Sequence, residues 1–250
     1  AQVLEIKIVN KYIRGNIHLT KVDAEYPDNK LTGATFEVYK DSNGSGKLDD
    51  GDELLGTLTE KEIGSYEMKD LFYGRYFVKE TKAPEGFVLD TGVYEVMIDT
   101  DGKTCEVENK AGVGFINEAM RGNLKIVKTS SDGKIKGFAF RITGANGYDI
   151  ILETNDKGEI VIEGIRIGDY TVSEVSNSAS AMYVLPADKK ATVKTGSTTI
   201  VEMHNVLRDT PKTGDATNLP LLYALAGLSA VGIAVTAFVG FKKKKKEGND

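Results

Sequence analysis

The sequence has few of the residues that commonly form cross-links or active sites: one cysteine, Cys105, and two histidines among 250 residues. A lone thiol cannot form a disulfide within the chain, so the fold must use another kind of cross-link or none. We interpret Cys105 as a small apolar side chain on a strand. No Ser/His/Asp set, glycine-rich phosphate loop or basic aromatic groove is recognisable, which argues against a turnover enzyme.

Outside one block of lysines, acidic residues outnumber basic ones. The chain has 32 Lys and Arg against 37 Asp and Glu, a net charge of −5, and residues 242–246 are five consecutive lysines. The remainder is therefore more acidic than the total suggests. An acidic surface repels phosphate groups, which argues against nucleic acid and an anionic membrane surface as partners of this part.

Short runs of Val, Ile, Tyr and Phe alternate with clusters of Gly, Asn and Asp, and glycine is abundant at 27 residues. This pattern predicts an all-β protein. The length suits two small domains, since one core commonly occupies about 100 to 150 residues.

The C-terminal part has a different character. Residues 219–241 form a run of 23 residues without a charge. At about 1.5 Å per residue such a run spans a bilayer, so we predict a transmembrane helix there. The lysines that follow place the tail, residues 242–250, in the cytoplasm and the preceding residues outside.

A short linker, residues 208–218, precedes this span. It contains the exposed sequence Thr210-Pro211-Lys212-Thr213-Gly214. The order of motif, apolar span and basic tail resembles the LPXTG cell-wall sorting signal of Gram-positive surface proteins, with Thr210 where the pattern has Leu. The resemblance implies that sortase cleaves after Thr213 and joins it to peptidoglycan or another pilin subunit. The protein would then be extracellular and cell wall-anchored, and membrane-inserted through 219–241 before sortase cleavage.

Two copies of one unit follow each other along the chain. Three segments recur: 15–21 as 122–128, 74–80 as 168–174, and 115–117 as 203–205. Apolar and polar residues alternate within these segments, which predicts half-buried strands. We therefore predict two tandem β-sandwich domains, residues 14–119 and 120–207.

Each copy places three polar side chains in phase with its apolar residues. These are a Lys, a Glu and an Asn from separate strands: Lys21, Glu80 and Asn117, then Lys128, Glu174 and Asn205. Burial lowers the pKa of a lysine and raises that of a glutamate. The neutral amine can then attack the Asn carboxamide while the Glu shuttles protons, which yields a Lys–Asn isopeptide bond. The alternative is a buried hydrogen-bonded ion cluster without a bond.

Residues 19–23, 33–36 and 76–87 together resemble the Cna protein B-type, or SpaA-like pilin, domains of Gram-positive adhesins and pilins; residues 76–87 resemble the E-box of that family. The resemblance implies prealbumin-like sandwiches and extends over nearly all of residues 14–207. It further implies a Lys21–Asn117 bond with Glu80 catalytic, and a Lys128–Asn205 bond with Glu174 catalytic. The second copy departs from the pattern after Glu174.

The beginning of the chain repeats the end of a unit. Asn10 precedes Lys21 by 11 residues, as Asn117 precedes Lys128. We predict that residues 1–13 are the last strand of a preceding domain and that Asn10 is its isopeptide asparagine. The chain would then be part of a longer protein.

One acidic loop has the spacing of an EF-hand calcium site. Its candidate oxygen ligands are Asp41, Asn43, Ser45, Asp49 and Asp52. Helices are not predicted on either side, so a solvated loop is the favoured interpretation. No other cofactor is expected.

Two functions are consistent with these features. The first is a wall-anchored adhesin or a basal or minor pilin, which would meet a host extracellular ligand through upstream domains. The second is a spacer and anchor region for a surface enzyme whose catalytic domain lies upstream of residue 1.

Overall fold

The computed structural model describes residues 7–209, and in this range the chain is built of strands with one short 3-10 turn, Ala145–Gly147. The all-β prediction is confirmed for these residues. Within them, no helix is long and apolar enough to cross a bilayer. The predicted sorting motif at 210–214, the transmembrane helix at 219–241 and the tail at 242–250 lie outside the described residues.

The first sandwich contains nine strands. They are β1 (Arg14–Asp23), β2 (Thr35–Lys40), β3 (Glu53–Thr57), β4 (Thr59–Glu62), β5 (Ser65–Phe72), β6 (Gly74–Lys82), β7 (Val93–Ile98), β8 (Thr104–Glu106) and β9 (Phe115–Asn117). One sheet has the order β4-β5-β1-β8, with β9 also paired to β1, and the other has the order β3-β2-β6-β7. Their inner faces share one apolar core, in which Phe36 packs edge-on against Tyr66 and Phe115.

The second sandwich contains eight strands. They are β10 (Arg121–Ser130), β11 (Ala139–Gly144), β12 (Asp149–Glu153), β13 (Glu159–Arg166), β14 (Gly168–Val175), β15 (Tyr183–Val184), β16 (Lys189–Val193) and β17 (Thr198–Leu207). The two sheets have the orders β13-β10-β17-β15 and β12-β11-β14-β16 and enclose a second core. The repeated segments thus occupy equivalent strands: β1 and β10, β6 and β14, β9 and β17.

The last strand differs between the two sandwiches. In the second, β17 runs unbroken and parallel to β10. In the first, β1 pairs with β8 as far as His18 and Glu106, and pairing resumes with β9 at Lys21 and Phe115. β1 advances three residues while its partner advances nine, so residues 107–114 must leave the sheet as an excursion.

The two sandwiches meet at a buried ion pair. Arg166 donates from both terminal nitrogens to the carboxylate of Asp23, at 2.6 and 2.7 Å. The guanidinium also lies 4.8 Å from the ring centroid of Tyr26. Asp23 is only 2% exposed and is the last residue of β1, so this contact lies on the strand that carries Lys21.

Residues 7–13 form no strand, and Asn10 is exposed. A strand needs a neighbouring strand for its backbone hydrogen bonds. If residues 1–13 complete another domain, their pairing partner would lie in that domain. The assignment of residues 1–13 to a preceding domain stays a prediction, and residues 1–6 lie outside the described residues.

Candidate functional site

In each sandwich, a Lys, a Glu and an Asn on three separate strands lie in the core. β1, β6 and β9 carry Lys21, Glu80 and Asn117, and β10, β14 and β17 carry Lys128, Glu174 and Asn205. All six side chains are buried, with exposures from 0% to 8%. The inward orientation expected from strand alternation is therefore confirmed.

The strand register places the lysine and the asparagine in the same relation in both sandwiches. Lys21 pairs with Phe115, two residues before Asn117 on the parallel neighbouring strand. Lys128 pairs with Met203, two residues before Asn205. Because residues two apart share one face of a strand, each asparagine lies on the same face as its lysine, one step along.

Hydrogen bonds connect the members of the first cluster. The Nδ2 of Asn117 donates to Glu80 Oε2 and to the Val88 carbonyl, both at 2.8 Å. The Nζ of Lys21 donates to the Phe115 carbonyl at 3.0 Å. Within the described residues, Glu80 Oε1 and Asn117 Oδ1 are buried without a partner. An unpartnered carboxylate oxygen is costly in a core, so the cluster favours a protonated Glu80.

Burial shifts both ionisable groups of the first cluster towards neutrality. Desolvation lowers the pKa of Lys21 from 10.5 to about 8, although nearby acidic groups, Glu80 first among them, oppose it. Desolvation also raises the pKa of Glu80, against the hydrogen bonds that it accepts and the charge of Lys21. A neutral amine is a nucleophile and a protonated carboxyl is a proton donor, so the two shifts suit acyl transfer from Asn117.

The second cluster repeats the central hydrogen bond with a different lysine contact. Asn205 Nδ2 donates to Glu174 Oε1 at 2.6 Å, and Glu174 Oε2 is buried without a partner among the described residues. Lys128 Nζ donates to the carbonyl of Thr129 and lies 4.2 Å from the ring centroid of Phe138. Desolvation lowers the pKa of Lys128 and raises that of Glu174.

The structure adds residues around the first cluster that sequence reasoning did not identify. Asp90 donates its backbone N–H to Glu80 Oε2 at 2.8 Å. Its carboxylate is bonded to Tyr94 and Asn109. These residues lie beyond the repeated segments, so a comparison of the two copies gave no signal for them.

The candidate calcium loop uses its oxygens internally. Asp41 accepts the backbone N–H of Ser45 at 3.0 Å, and Asp52 accepts that of Asp49 at 3.0 Å. Asn43 donates its side-chain amide to Asp49 at 2.8 Å. In the part of the chain that the structure describes, no group of three or more His, Cys, Asp or Glu could hold a metal ion. Calcium binding by this loop stays the less favoured alternative to a solvated loop.

One solved structure shows the same fold at low sequence identity. The Bacillus anthracis TIE protein matches with a TM-score of 0.56 and 23% identity, over 78% of this chain and 34% of that one. The minor pilin of Streptococcus agalactiae matches over 80% of this chain and 99% of its own, with 18% identity, but its TM-score of 0.37 adds no weight.

The sequence is also similar to a streptococcal surface protein and matches one protein family. The trypsin-resistant surface T6 protein of Streptococcus pyogenes serotype M6 is 26% identical over 204 residues, which cover 69% of this chain and 35% of the relative. The chain thus spans about a third of that protein's length. The SpaA family, described as a prealbumin-like fold domain, matches residues 15–111 and 122–207, one stretch in each sandwich. The chain therefore belongs to the family of SpaA prealbumin-like fold domains, of which it contains two in tandem.

Proposed function

We propose that this chain is the stalk of a Gram-positive surface protein, a pilus subunit or adhesin, whose sandwiches cross-link themselves through Lys–Asn isopeptide bonds. The observation that carries the proposal is the repeated Asn–Glu hydrogen bond beside a buried lysine, at 2.8 Å in the first sandwich and 2.6 Å in the second. Such bonds would give a chain with one cysteine an internal covalent cross-link without a disulfide.

The reaction needs only the three side chains of a cluster. The neutral Nζ of Lys21 attacks Cγ of Asn117, the Nζ–Cγ bond forms and the Cγ–Nδ2 bond breaks. Glu80 protonates the departing Nδ2 and receives a proton from Nζ, so one proton is relayed and one ammonia leaves. The step occurs once per domain, and the fold supplies the proximity that an amide in water lacks.

The bond would connect the first and last strands of a sandwich. Because β1 and β9 are neighbours in one sheet, a bond from Lys21 to Asn117 closes a loop of about a hundred residues, which stabilises by about 4 to 5 kcal/mol in the chain-entropy model. Tension that enters through β1 then leaves through β9, and the strands between them carry little load. This property suits a stalk under tension.

The second part of the proposal is that sortase attaches the chain to the cell wall. The sorting motif at residues 210–214 would be cleaved after Thr213, and the new carboxyl group joined to peptidoglycan or another pilin subunit. The similarity to the streptococcal T6 surface protein supports a surface location. In a Gram-positive host, wild-type chain should become extractable only after digestion of peptidoglycan, and a Thr213→Ala chain should remain extractable by detergent. Equal extraction of the two chains by detergent would refute wall attachment.

Intact mass and peptide mapping test the cross-links. The full chain should weigh less than its sequence by one ammonia for each bond, and a proteolytic digest should contain a branched peptide that joins Lys21 to Asn117. A mass equal to that of the unmodified sequence would refute the proposed cross-linking.

A further inference from the structure

A set of polar side chains surrounds Glu80 without taking part in the proposed reaction. Glu80 Oε2 accepts two hydrogen bonds at 2.8 Å, one from Asn117 and one from the backbone N–H of Asp90. The second bond fixes the carboxyl group against the loop between β6 and β7. The position of Glu80 therefore depends on what holds that loop.

The side chain of Asp90 holds the loop. Its carboxylate accepts the Gly92 backbone N–H at 2.6 Å, the Tyr94 hydroxyl at 2.9 Å and the Asn109 side-chain amide at 2.7 Å. Burial opposes ionisation of this carboxyl, but the hydrogen bonds from Asn109, Gly92 and Tyr94 outweigh it and hold the pKa of Asp90 below its usual value. Asp90 thus remains an acceptor for all three donors.

Asn109 extends the network to the strand that carries the electrophile. It lies in the excursion at residues 107–114 and accepts the Ile116 backbone N–H at 2.6 Å while it donates to the Ile116 carbonyl at 2.8 Å. Ile116 immediately precedes Asn117. One network therefore links Glu80, through the Asp90 backbone, to the backbone beside Asn117.

The same side chains line an opening next to the cluster. A cavity of about 300 Å³ lies against Asn117 and is lined by Asp90, Tyr94 and Asn109 among others. The network around Asp90 thus borders a cavity next to Asn117.

The second sandwich has no counterpart to this network in its described residues. β17 continues through the region where the first sandwich has its excursion. Glu174 accepts a hydrogen bond from Asn205 on one oxygen, and its other oxygen has no partner.

We propose that Asp90 is a positioning residue for isopeptide formation in the first sandwich. Its backbone holds Glu80 beside Asn117, and its carboxylate, through Asn109, holds the strand that carries Asn117. The proposal rests on the proposed cross-linking function. Asp90 is not a catalytic residue, because its hydrogen bonds reach neither Lys21 nor the side chain of Asn117.

The rate of bond formation tests this proposal. The full chain is made by cell-free synthesis in detergent, samples are stopped at intervals, and the Lys21–Asn117 and Lys128–Asn205 peptides are quantified separately by mass. Asp90→Ala should slow the first bond at least tenfold, since small misplacements of reacting groups have effects of about this size. The second bond should form at the wild-type rate in the same molecules.

Two further variants separate positioning from folding. Asp90→Asn keeps an acceptor oxygen for Gly92 or Tyr94 and should form the first bond at an intermediate rate. Asp99→Ala, which removes a carboxylate bonded to the neighbouring Thr100 hydroxyl in the same sandwich, is the matched control and should match wild type. If Asp90 contributed only to stability, the Asp90→Ala chain would form the first bond at the wild-type rate at any temperature low enough to keep it fully folded. A positioning role predicts that the variant remains slower than wild type at that temperature.

The outcomes distinguish this proposal from the one on which it rests. Absence of the first bond in wild type would refute the cross-linking function itself. A normal first bond in wild type with an unchanged rate in Asp90→Ala would overturn only the role of Asp90. If Asp90→Ala does not fold, Asp90→Asn decides the matter, and a wild-type rate in that variant overturns the proposal.

Discussion

Asn117 donates its side-chain amide to Glu80 at 2.8 Å inside a core, and Asn205 donates to Glu174 in the same way at 2.6 Å. The loops around the two pairs differ, because the first sandwich has an excursion in its last strand and the second does not. The Asn–Glu hydrogen bond is thus the same in both sandwiches although the loops around it differ. Each pair also leaves one carboxyl oxygen and the amide oxygen unpartnered within the described residues, which favours a proton on the glutamate.

Glu80→Gln should abolish the first bond. Gln preserves the shape of the side chain but cannot relay a proton between Lys21 and Asn117. After allowance for the mass change of the substitution itself, the first sandwich should be heavier than in wild type by one ammonia. Its stability should fall by about 4 to 5 kcal/mol, the value expected for a closed loop of this length. Thermal unfolding and peptide mass measure the two effects.

Glu85→Gln provides the matched control for that substitution. Glu85 is exposed in the loop that follows β6, so its replacement should leave bond and melting temperature unchanged. A cross-linked peptide recovered in full yield from Glu80→Gln would contradict the catalytic role of Glu80.

The uncross-linked chain should become more stable at alkaline pH. In Glu80→Gln, Lys21 remains a free amine in the core; its pKa in the wild-type cluster is about 8, against 10.5 for an ordinary lysine. Between these values the unfolded chain binds more protons than the folded one, so the free energy of unfolding rises with pH from about 8 to 10.5. Any negative charge on Glu80 raises the pKa of Lys21, so replacement of Glu80 by Gln can only extend this window to lower pH.

Denaturant unfolding of the first sandwich across this pH range measures the effect. The double variant Glu80→Gln, Lys21→Met has no titrating amine at this site and should lose the slope. An equal slope in both chains would show that Lys21 does not titrate as argued.

The repeated segments predicted two domains, and strand alternation predicted the six buried polar residues, because period-two patterns fix which face a side chain occupies. Neither pattern predicted the network of Asp90 and Asn109. Both residues lie in irregular segments, and their hydrogen bonds depend on how an excursion folds back on β9, which no local pattern encodes. Residues 7–13 form no strand, so the strand expected over residues 1–13 is not seen in the part of it that the structure describes.

Arg166→Ala should destabilise the contact between the sandwiches. Asp23 is 2% exposed and would lose both hydrogen bonds from the guanidinium. Loss of one partner from a buried pair costs about 3 to 5 kcal/mol, and we expect about 2 to 3 here because Asp23 still accepts the backbone N–H groups of Glu25 and Tyr26. Calorimetry of the full chain measures the change.

Arg141→Ala is the control for that experiment. Arg141 also bonds an aspartate through two nitrogens, but its pair with Asp149 lies on the surface, where water replaces the lost contacts. Equal losses in the two variants would show that burial of Asp23 adds nothing.

Calcium should raise the melting temperature of the first sandwich if the loop of residues 41–53 binds it. The ion would have to displace the loop amides that Asp41 and Asp52 now accept. Asp41→Ala should abolish the shift, and Asp50→Ala, a loop carboxylate outside the expected ligand positions, should retain it. An unchanged melting temperature of wild type in millimolar calcium would favour the solvated loop.

Resistance to trypsin should depend on the cross-links. The chain contains 32 Lys and Arg, the residues after which trypsin cleaves. Trypsin cuts a folded domain through its transiently opened forms, whose population falls as the bond stabilises the native state. Wild type should therefore survive digestion as a large fragment, Glu80→Gln should lose the first sandwich, and Glu174→Gln should lose the second.

A second readout uses a denaturing gel. Because the bond joins the first strand of a sandwich to its last, a chain cut once in the loop between them should still run as one wild-type fragment. Digestion of both single variants at the wild-type rate would mean that hydrogen bonding in the clusters, without a covalent bond, accounts for the stability of the sandwiches.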